Sequence, residues 1–393
     1  MFESVMPYRR EAATLLSQQI SSDSFPQAVL FAGSRYSGRL TLAMESARVL
    51  SCSNTGEANC ACRSCIDFSW YAMDNVIAVG NRDHVTRIDA HLAEFLRLGT
   101  QESHKRLVRA LRLMLLQYHG ALLGSTESKN SSTFNAAASL DEFLLSSDDI
   151  DRPEGRKEYV RQLTDLLKPL QSSRSRSGAL SIAQVRALQE WTMQTSFGRQ
   201  NRFILLEGVE QSTEGARNSL LKMLEEPPAH TYLFLLSEQP SRLLATILSR
   251  VQRHHVSPYS EGEKNRLLAD LFFIDGAEHP SVEEYFLSRA GIPCEKIRSL
   301  AKRYAQASGA REAIGREELD VMCTELDEPV RLGYFLSEFQ RSVREMFLCG
   351  TLAESRAARL VSVAGEAEMK ASVYNQSGRL MVETLHYRLL EES

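Results

Sequence analysis

Short apolar runs alternate with helical patterns over the first 258 residues. Runs of the length and composition of buried strands lie at Ala28–Ala32, Asn75–Val79, Phe203–Leu206 and Tyr232–Leu236, with a weaker, more polar one at Val251–Val256. Amphipathic helical spacing separates most of them, at Arg39–Leu50, Ile182–Trp191 and Glu214–Leu224. Because parallel strands need crossovers of about a dozen residues or more, the alternation predicts a parallel α/β sheet domain over residues 1–258.

The stretch between the second and third predicted strands is too long for a simple crossover. Val85–Leu123 and Tyr159–Leu170 have helical periodicity. Between and after them, Ser125–Ser139 is small and polar, which predicts a flexible loop, and Ser172–Gly178 reads as a linker. We therefore expect a helical insertion at about 83–177 within the α/β domain.

After Pro258 the strand signals stop and the chain becomes helical. The predicted helices are Glu261–Phe273, Ser281–Ala290, Cys294–Ala307, Arg331–Leu348, Glu354–Ala364 and Gly378–Leu390, with a break at Ser308–Gly309. The pattern predicts a small helical domain at 259–309 and a C-terminal helical bundle at 310–393.

Length, charge and cysteine count narrow the class of protein. The 393 residues suit two or three domains, and no apolar run approaches the ~20 residues of a membrane span. The net charge of -4 excludes attraction of DNA by bulk charge, so a DNA contact would need a local basic patch. The candidates are Lys105, Arg106, Arg109 and Arg112 on one helix, and Arg174 and Arg176 in the linker, although a solvated helix face is an alternative explanation.

Four of the seven cysteines crowd into one short segment. Cys52, Cys60, Cys62 and Cys65 have the spacing C-x7-C-x-C-x2-C within a module at 50–67. Four thiolates this close fit a closed, tetrahedral structural zinc site, and a loop of free thiols is the alternative. The odd number of cysteines indicates a reduced, cytoplasmic protein, in which Cys294, Cys323 and Cys349 are expected to be small core residues.

A degenerate phosphate-binding loop follows the first predicted strand. Gly33 and Gly38 have the spacing of G-x-x-x-x-G-K-[ST], in which the lysine reaches the phosphates and the hydroxyl binds Mg²⁺. Arg39 replaces the lysine, and Leu40, which cannot bind a metal, replaces the hydroxyl. A glycine-bounded turn without a ligand and residual nucleotide binding are both open readings. We expect ATP not to be bound productively.

The third predicted strand lacks the acidic pair of an ATPase. Such a strand would end in Asp-Glu, with the Asp holding Mg²⁺ and the Glu activating water. Here it ends in Glu207 and Gly208, so the carboxylate is one methylene longer and the second side chain is missing. The sequence therefore predicts the fold of an ATPase without its hydrolysis.

The most specific motif spans the end of the α/β domain. The segment Asn218–Pro228 reads NSLLKMLEEPP, and after a strand comes RLLATILSRV at Arg242–Val251. These residues resemble N-x-LLK-x-LEEPP and RLL-x-TI-x-SR-C of the clamp-loader AAA+ subunits of bacterial DNA polymerase III. The resemblance covers about 25–80 and 178–258. It departs at Val251, where the family has Cys, and at the cysteines, whose usual family spacing is C-x8-C-x2-C-x2-C.

The resemblance implies an AAA+ domain, a helical lid and a C-terminal helical collar in an open heteropentamer. The implied partners are clamp-loader ATPase subunits and a delta subunit and, through the complex, a sliding clamp and primer-template DNA. The family's Ser-Arg motif places Arg250, beside Ser249, as an arginine finger that reaches ATP held by a neighbour. The losses at the phosphate loop and the third strand match the family's non-hydrolysing member rather than its motors.

Two further functions compete with this one. The first is an ATP-hydrolysing motor with an atypical site, against which Leu40 and Gly208 argue. The second is a zinc-stabilised adaptor outside replication that uses the insertion to bind something else. For Arg250 itself, the alternative is an ordinary surface or interface ion pair.

Overall fold

The computed structural model describes residues 1–125, 131–145, 152–172, 180–194, 201–374 and 378–391. The chain divides into two compact units, the first within residues 1–290 and the second from residue 291 onward. Among the described residues, no helix is both long enough and apolar enough to cross a bilayer.

The first unit is built on a five-stranded parallel sheet. Its strands are β1 (Ala28–Gly33), β2 (Val76–Val79), β3 (Arg202–Glu207), β4 (Thr231–Ser237) and β5 (Gln252–Val256). They lie in the order β2-β3-β4-β1-β5. Leu235 of β4 lies between Leu30 of β1 on one side and Leu206 of β3 on the other. All five predicted strands are confirmed, and the sheet agrees with the fold that the resemblance implies.

Helices cover both faces of the sheet. Those of the first unit are α1 (Arg10–Ser21), α2 (Arg39–Ser51), α3 (Arg63–Trp70), α4 (His84–Leu98), α5 (Gln101–Leu115), α6 (Ser131–Leu145), α7 (Pro153–Ser172), α8 (Ile182–Met193), α9 (Glu214–Glu225), α10 (Ala245–Leu248), α11 (Glu261–Phe272) and α12 (Val282–Arg289). Val29 and Phe31 of β1 pack with α1 and α2, and Leu30 packs with α8 and α9. This alternation gives three layers with β1 buried on both faces.

The described residues between 83 and 172 are mostly helical, and their helices share a core of their own. Ile88, Phe95, Leu107 and Leu163 of α4, α5 and α7 are buried in it. The loop predicted at Ser125–Ser139 is wrong from residue 131 onward, where α6 begins. Ala137 and Leu140 are buried at helical spacing, and alanines favour the helix, so packing outweighs the polar composition. Residues 126–130 of that loop, and residues 173–178 of the predicted linker, lie outside the described residues.

The second unit consists of helices joined by short loops, with no strand among its described residues. Its helices are α13 (Cys294–Ala310), α14 (Arg316–Glu325), α15 (Pro329–Leu348), α16 (Glu354–Tyr374) and α17 (Gly378–Glu391). The predicted break at Ser308–Gly309 is wrong, because α13 continues to Ala310. A β-carbon on Gly309 would lie 2.7 Å from Met346 Cε, so this glycine allows close packing against α15 rather than ending the helix. Cys294 and Cys323 are buried as expected, but Cys349 is exposed.

Candidate functional site

Three chain segments meet at the carboxyl edge of the sheet. Because β3, β4 and β1 are adjacent and parallel, the residues that follow them lie side by side. The phosphate-loop sequence follows β1, Gly208 follows β3, and Glu238 follows β4. This edge is where a nucleotide-binding α/β protein places its ligand, so the chemistry of these three segments decides what the site can do.

Backbone packing alone requires both glycines of the degenerate loop. A β-carbon on Gly33 would lie 2.2 Å from the carbonyl oxygen of Val256, and Gly38 has φ +86° at the N-cap of α2. Leu40 is buried in the core beneath α2. The residue in the place of the magnesium-binding hydroxyl therefore packs inward, as the sequence predicts for a site without this ligand.

Arg39, in the place of the phosphate-binding lysine, is paired within the chain. Its Nη2 donates to Glu238 Oε1 at 3.0 Å, its side chain is 10% exposed, and Arg35 Nε donates to the same oxygen at 3.3 Å. Burial acts to raise the pKa of Glu238, but the two guanidinium groups outweigh it and lower that pKa below its ordinary value. The Arg39 charge is thus committed to a carboxylate of its own subunit.

Two further side chains lie in front of the α2 N-terminus. The guanidinium carbon of Arg9 is 3.3 Å from the centroid of the Tyr259 ring, a cation–π contact. A β-carbon on Gly38 would lie 2.7 Å from Tyr259 Oη and 3.4 Å from Arg9 Nε. Arg9 is buried and lies 3.8 Å from Glu263 Oε2. The stacked pair therefore lies against Gly38, the N-cap residue of α2.

The acidic residue at the end of β3 is also neutralised. Arg82 Nη2 lies 2.6 Å from Glu207 Oε1, and Arg82 Nε donates to the same oxygen at 2.7 Å. Gly208 has φ +67°, and a β-carbon there would lie 2.6 Å from Asn81 Oδ1. The position that would carry a water-activating glutamate thus has no room for a side chain, and the remaining carboxylate is held by an arginine.

Arg250 lies at the surface, just after α10. Its side chain is 31% exposed, its Nη2 is 2.5 Å from Glu225 Oε1, and its Nη1 donates to the Thr246 carbonyl at 2.8 Å. Ser249 Oγ donates to the same carbonyl at 3.1 Å. These partners belong to α9 and α10 and not to the phosphate loop. Val251, in the place of the family cysteine, is buried in the core, a role that either side chain can fill.

The four cysteines of the 50–67 module converge. Cys52 follows α2, Cys60 and Cys62 lie in the next loop, and Cys65 is in the first turn of α3. Their sulfur atoms all lie within 4.8 Å of one another, with Cys52 Sγ 3.6 Å from Cys60 Sγ and 3.8 Å from Cys62 Sγ. A tetrahedral zinc centre with Zn–S bonds of about 2.3 Å has S–S edges of about 3.8 Å, so the cluster fits zinc.

Hydrogen bonds already favour the metal-binding form of one of these thiols. Burial acts to raise the pKa of Cys62, but backbone N–H groups of Cys65 and Ser53 lower it to about 6. Asn54 Nδ2 donates to Cys60 Sγ at 3.2 Å, and Arg48 Nη1 donates to Cys65 Sγ at 3.1 Å. The sulfur atoms thus face donors, the environment that thiolate ligands require.

The basic residues considered for DNA binding are engaged elsewhere. Lys105 and Arg109 of α5 lie over the rings of Trp70 and Tyr71, at 5.1 and 4.3 Å from their centroids. Arg112 is buried and donates to the Trp70 carbonyl. These residues attach α5 to the end of α3, the helix that begins in the cysteine module, instead of forming a solvated face. Arg174 and Arg176 lie outside the described residues.

Sequence reasoning missed the partners that neutralise the site. Arg82 and Glu238 belong to no motif and lie far along the chain from the residues they bind. Their one signal is position, since each follows a predicted strand at the carboxyl edge of the sheet. Arg48 was also missed, although its place four residues before Cys52 puts it one helical turn away.

Several curated proteins match part of this chain in sequence. Proteins named DNA polymerase III subunit delta' match at 46% identity in Bacillus subtilis (19% of this chain, 22% of the relative), 46% in Pseudomonas aeruginosa (18% and 22%) and 53% in Escherichia coli (12% and 15%). The chain thus spans less than a quarter of the length of these curated relatives. A solved DNA polymerase III gamma subunit-related protein from Thermotoga maritima has 18% identity and a TM-score of 0.25, over 60% of this chain and 90% of that one, and that likeness is too loose to support a conclusion.

A family model gives broader coverage. The family described as DNA polymerase III, delta subunit, matches residues 8–109 and 117–260, which is more than half of the chain and reaches into the segment expected to be an insertion. The chain therefore belongs to the DNA polymerase III delta subunit family, among the clamp-loader subunits named delta-prime.

Proposed function

We propose that this chain is a non-hydrolysing subunit of the DNA polymerase III clamp loader that supplies Arg250 to ATP held by a neighbouring ATPase subunit. The observation that carries the proposal is a contrast. The charged groups at its own phosphate loop and β3 end are paired inside the subunit, whereas Arg250 is accessible at the surface.

The absence of hydrolysis follows from the groups present. Catalysis of phosphoryl transfer depends on positioned cations that neutralise the phosphate charge and on a group that orients water. Arg39 is bound to Glu238, Leu40 is in the core, and Glu207 is bound to Arg82. These three motif positions thus supply neither a free cation for the phosphates, nor a magnesium ligand, nor a base.

Arg250 has the chemistry to act on ATP in a neighbour. A guanidinium placed against a γ-phosphate stabilises the charge that develops as the terminal bond breaks. Its pairing with Glu225 is half-exposed, and an ion pair of that kind contributes about 0–1 kcal/mol, so the side chain can exchange this partner for a phosphate at little cost.

Zinc has a structural role in this proposal. Cys52, Cys60, Cys62 and Cys65 would hold the ion as a closed, four-thiolate centre with no open position for substrate. The ion would supply a cross-link that joins the end of α2 to the start of α3, and no reaction step uses it.

Assembly is proposed to use the helical parts of the chain. The lid is expected at 259–309, of which α11 and α12 belong to the first unit, whereas α13 groups with the second unit. The unit that begins at residue 291, which includes the collar expected at 310–393, would join the ATPase subunits and a delta subunit in a heteropentamer. The sliding clamp and primer-template DNA would be engaged through the complex. A role in DNA replication would place the protein in the cytoplasm.

The test is the ATPase turnover of a reconstituted loader that contains either this chain or its Arg250→Ala variant. With clamp and primed DNA present, the variant is expected to assemble normally and to lower turnover about tenfold or more. Arg253→Ala is a matched control, because Arg253 is an exposed arginine three residues away whose Nη2 donates to the Leu248 carbonyl at 3.2 Å.

Each result has a defined meaning. Unchanged turnover in an assembled complex that contains Arg250→Ala overturns the arginine-finger assignment, and an equal loss with Arg253→Ala assigns the effect to general surface charge. Separately, the isolated chain is expected to show no saturable binding in a titration with ATP and Mg²⁺. Tight binding followed by hydrolysis would instead make it a motor with an atypical site.

A further inference from the structure

We infer that Arg48 is a positioning residue of the zinc centre, holding the cysteine loop in its ligating shape from outside the ligand shell. The inference rests on the proposed structural zinc. Arg48 lies in the last turn of α2, four residues before Cys52, and is only 7% exposed. Burial of an arginine is costly unless its donors are satisfied, so its contacts show what it is there to hold.

All five N–H donors of Arg48 have acceptors. Nε and Nη2 donate to the two carboxylate oxygens of Glu45 at 3.0 and 2.8 Å. Nη2 also donates to the Gly56 carbonyl at 2.8 Å, and Nη1 donates to the Glu57 carbonyl at 3.1 Å and to Cys65 Sγ at 3.1 Å. The planar guanidinium of Arg48, called the fork from here on, thus connects α2, the middle of the cysteine loop at Gly56 and Glu57, and the Cys65 sulfur.

The positions of these contacts give the fork its effect on the metal centre. Gly56 and Glu57 lie between Cys52 and Cys60, where the chain turns back, and Cys65 begins the next helix. Because these contacts hold the cysteine loop and the start of α3 in place, they also set the distance between the sulfur atoms of Cys52 and Cys65. Glu45, one turn earlier in α2, fixes the fork in turn with its bidentate pair.

Charge supports the same role. Cysteine binds zinc as thiolate, so a four-cysteine centre carries a net charge of −2. A guanidinium in contact with one sulfur offsets part of that charge and the mutual repulsion of the ligands. Outer-shell hydrogen bonds of this kind typically change metal affinity 10–100-fold when they are removed.

The experiment measures zinc affinity of the full chain by competition with a chromophoric chelator, with zinc as the only added metal. Arg48→Gln, which removes both charge and fork, is expected to weaken binding about 10–100-fold. Arg48→Lys keeps the charge but loses the fork, and is expected to fall between that variant and the unmodified protein. Glu45→Gln touches no sulfur, and is expected to weaken binding by releasing the fork.

Arg63→Gln is the matched control. Arg63 is an arginine of the same module, adjacent to Cys62, but it is 89% exposed and pairs with Asp67 instead of a sulfur. It is expected to leave zinc affinity unchanged. Cobalt substitution gives a second readout, since the thiolate-to-cobalt absorption should shift in the Arg48 variants and not in Arg63→Gln.

The outcomes separate this inference from the function on which it rests. If the unmodified chain binds no zinc, the proposed zinc centre fails and the inference fails with it. If the unmodified chain binds zinc but Arg48→Gln and Arg63→Gln bind equally well, only the role of Arg48 is overturned. If far-UV circular dichroism shows that Arg48→Gln is unfolded, the comparison of Arg48→Lys and Glu45→Gln with Arg63→Gln decides the question in the same way.

Discussion

His91 shows how one buried side chain makes this fold sensitive to acid. Its ring stacks on Phe272, with centroids 6.1 Å apart, and meets the edge of Phe286 at 5.4 Å. Burial, helped by nearby positive charges, lowers its pKa from an ordinary value of 6.5 to about 3. Those charges are the guanidinium groups of Arg87, Arg106 and Arg109.

We expect His91→Phe to flatten the pH dependence of stability. Below pH 6.5 the unfolded chain binds a proton on His91, while the folded chain stays neutral there until about pH 3. The unfolded state therefore binds more protons, and stability falls as pH falls through this window by up to about 1.4 kcal/mol per pH unit for this group. Phenylalanine retains the ring contacts without the proton site.

The measurement is the free energy of unfolding in urea at several pH values between 7 and 4. His255→Gln is the control, since His255 is an exposed histidine on the edge strand β5. The interpretation is wrong if His91→Phe has the same slope as the unmodified chain, or if both variants lose it equally.

Residue patterns could predict the substitutions at the site but not its internal partners. Arg39, Leu40, Glu207 and Gly208 stand at fixed distances from motif residues, so their departures are visible in the sequence. The pairing of Glu207 with Arg82 joins residues 125 positions apart. Only the packing of parallel strands brings such residues together, and no local spacing encodes it.

Among the elements, α4 connects the described part of residues 83–172 to α11 and α12. Glu94 of α4 is 3% exposed and pairs with Arg97 of the same helix and with Arg289 of α12, whose Nε lies 2.8 Å away. Arg97 also donates to the Phe272 carbonyl at the end of α11. Nearby, Arg87 of α4 lies over the ring of Tyr36 in the degenerate phosphate loop. One helix thus contacts α11, α12 and the loop.

We expect Glu94→Gln to destabilise the chain by about 1–3 kcal/mol, because the buried carboxylate loses the charge with which it pairs to the partly exposed guanidinium groups of Arg97 and Arg289. Urea denaturation followed by circular dichroism measures the loss. Glu158→Gln is the matched control, since Glu158 is 49% exposed and its pair with Arg161 is an exposed one, of the kind that contributes little to stability. Equal effects of the two substitutions would contradict a stabilising role for the Glu94 pairs.

The predicted elements are confirmed where apolar residues recur with a strong period, and the prediction is wrong where it rests on composition alone. The β1 and β4 runs are buried along nearly their whole length, which leaves little ambiguity. In α6, a polar, alanine-rich segment becomes helical because Ala137 and Leu140 have a core to pack against. Helix α14 was not predicted at all, since few of its residues are buried and its apolar stripe is short.

At the scale of the whole molecule, the division of the chain assigns different tasks to the two units. The first unit contains the sheet, the cysteine module and the surface arginine Arg250, while the second has helices and connecting loops but no strand among its described residues. The net charge of -4 does not favour DNA, and Lys105 and Arg109 of α5 are packed on aromatic rings. DNA contact is then a property expected of the assembly.

The proposed function therefore requires that the chain enter a complex. When the zinc-loaded chain is mixed with the clamp-loader ATPase and delta subunits of its own organism, we expect one species on size exclusion whose mass includes all of them. Arg250→Ala should enter the same complex, because a half-exposed side chain adds little to a large interface. If the folded, zinc-loaded chain elutes alone, the clamp-loader role fails and the adaptor interpretation replaces it.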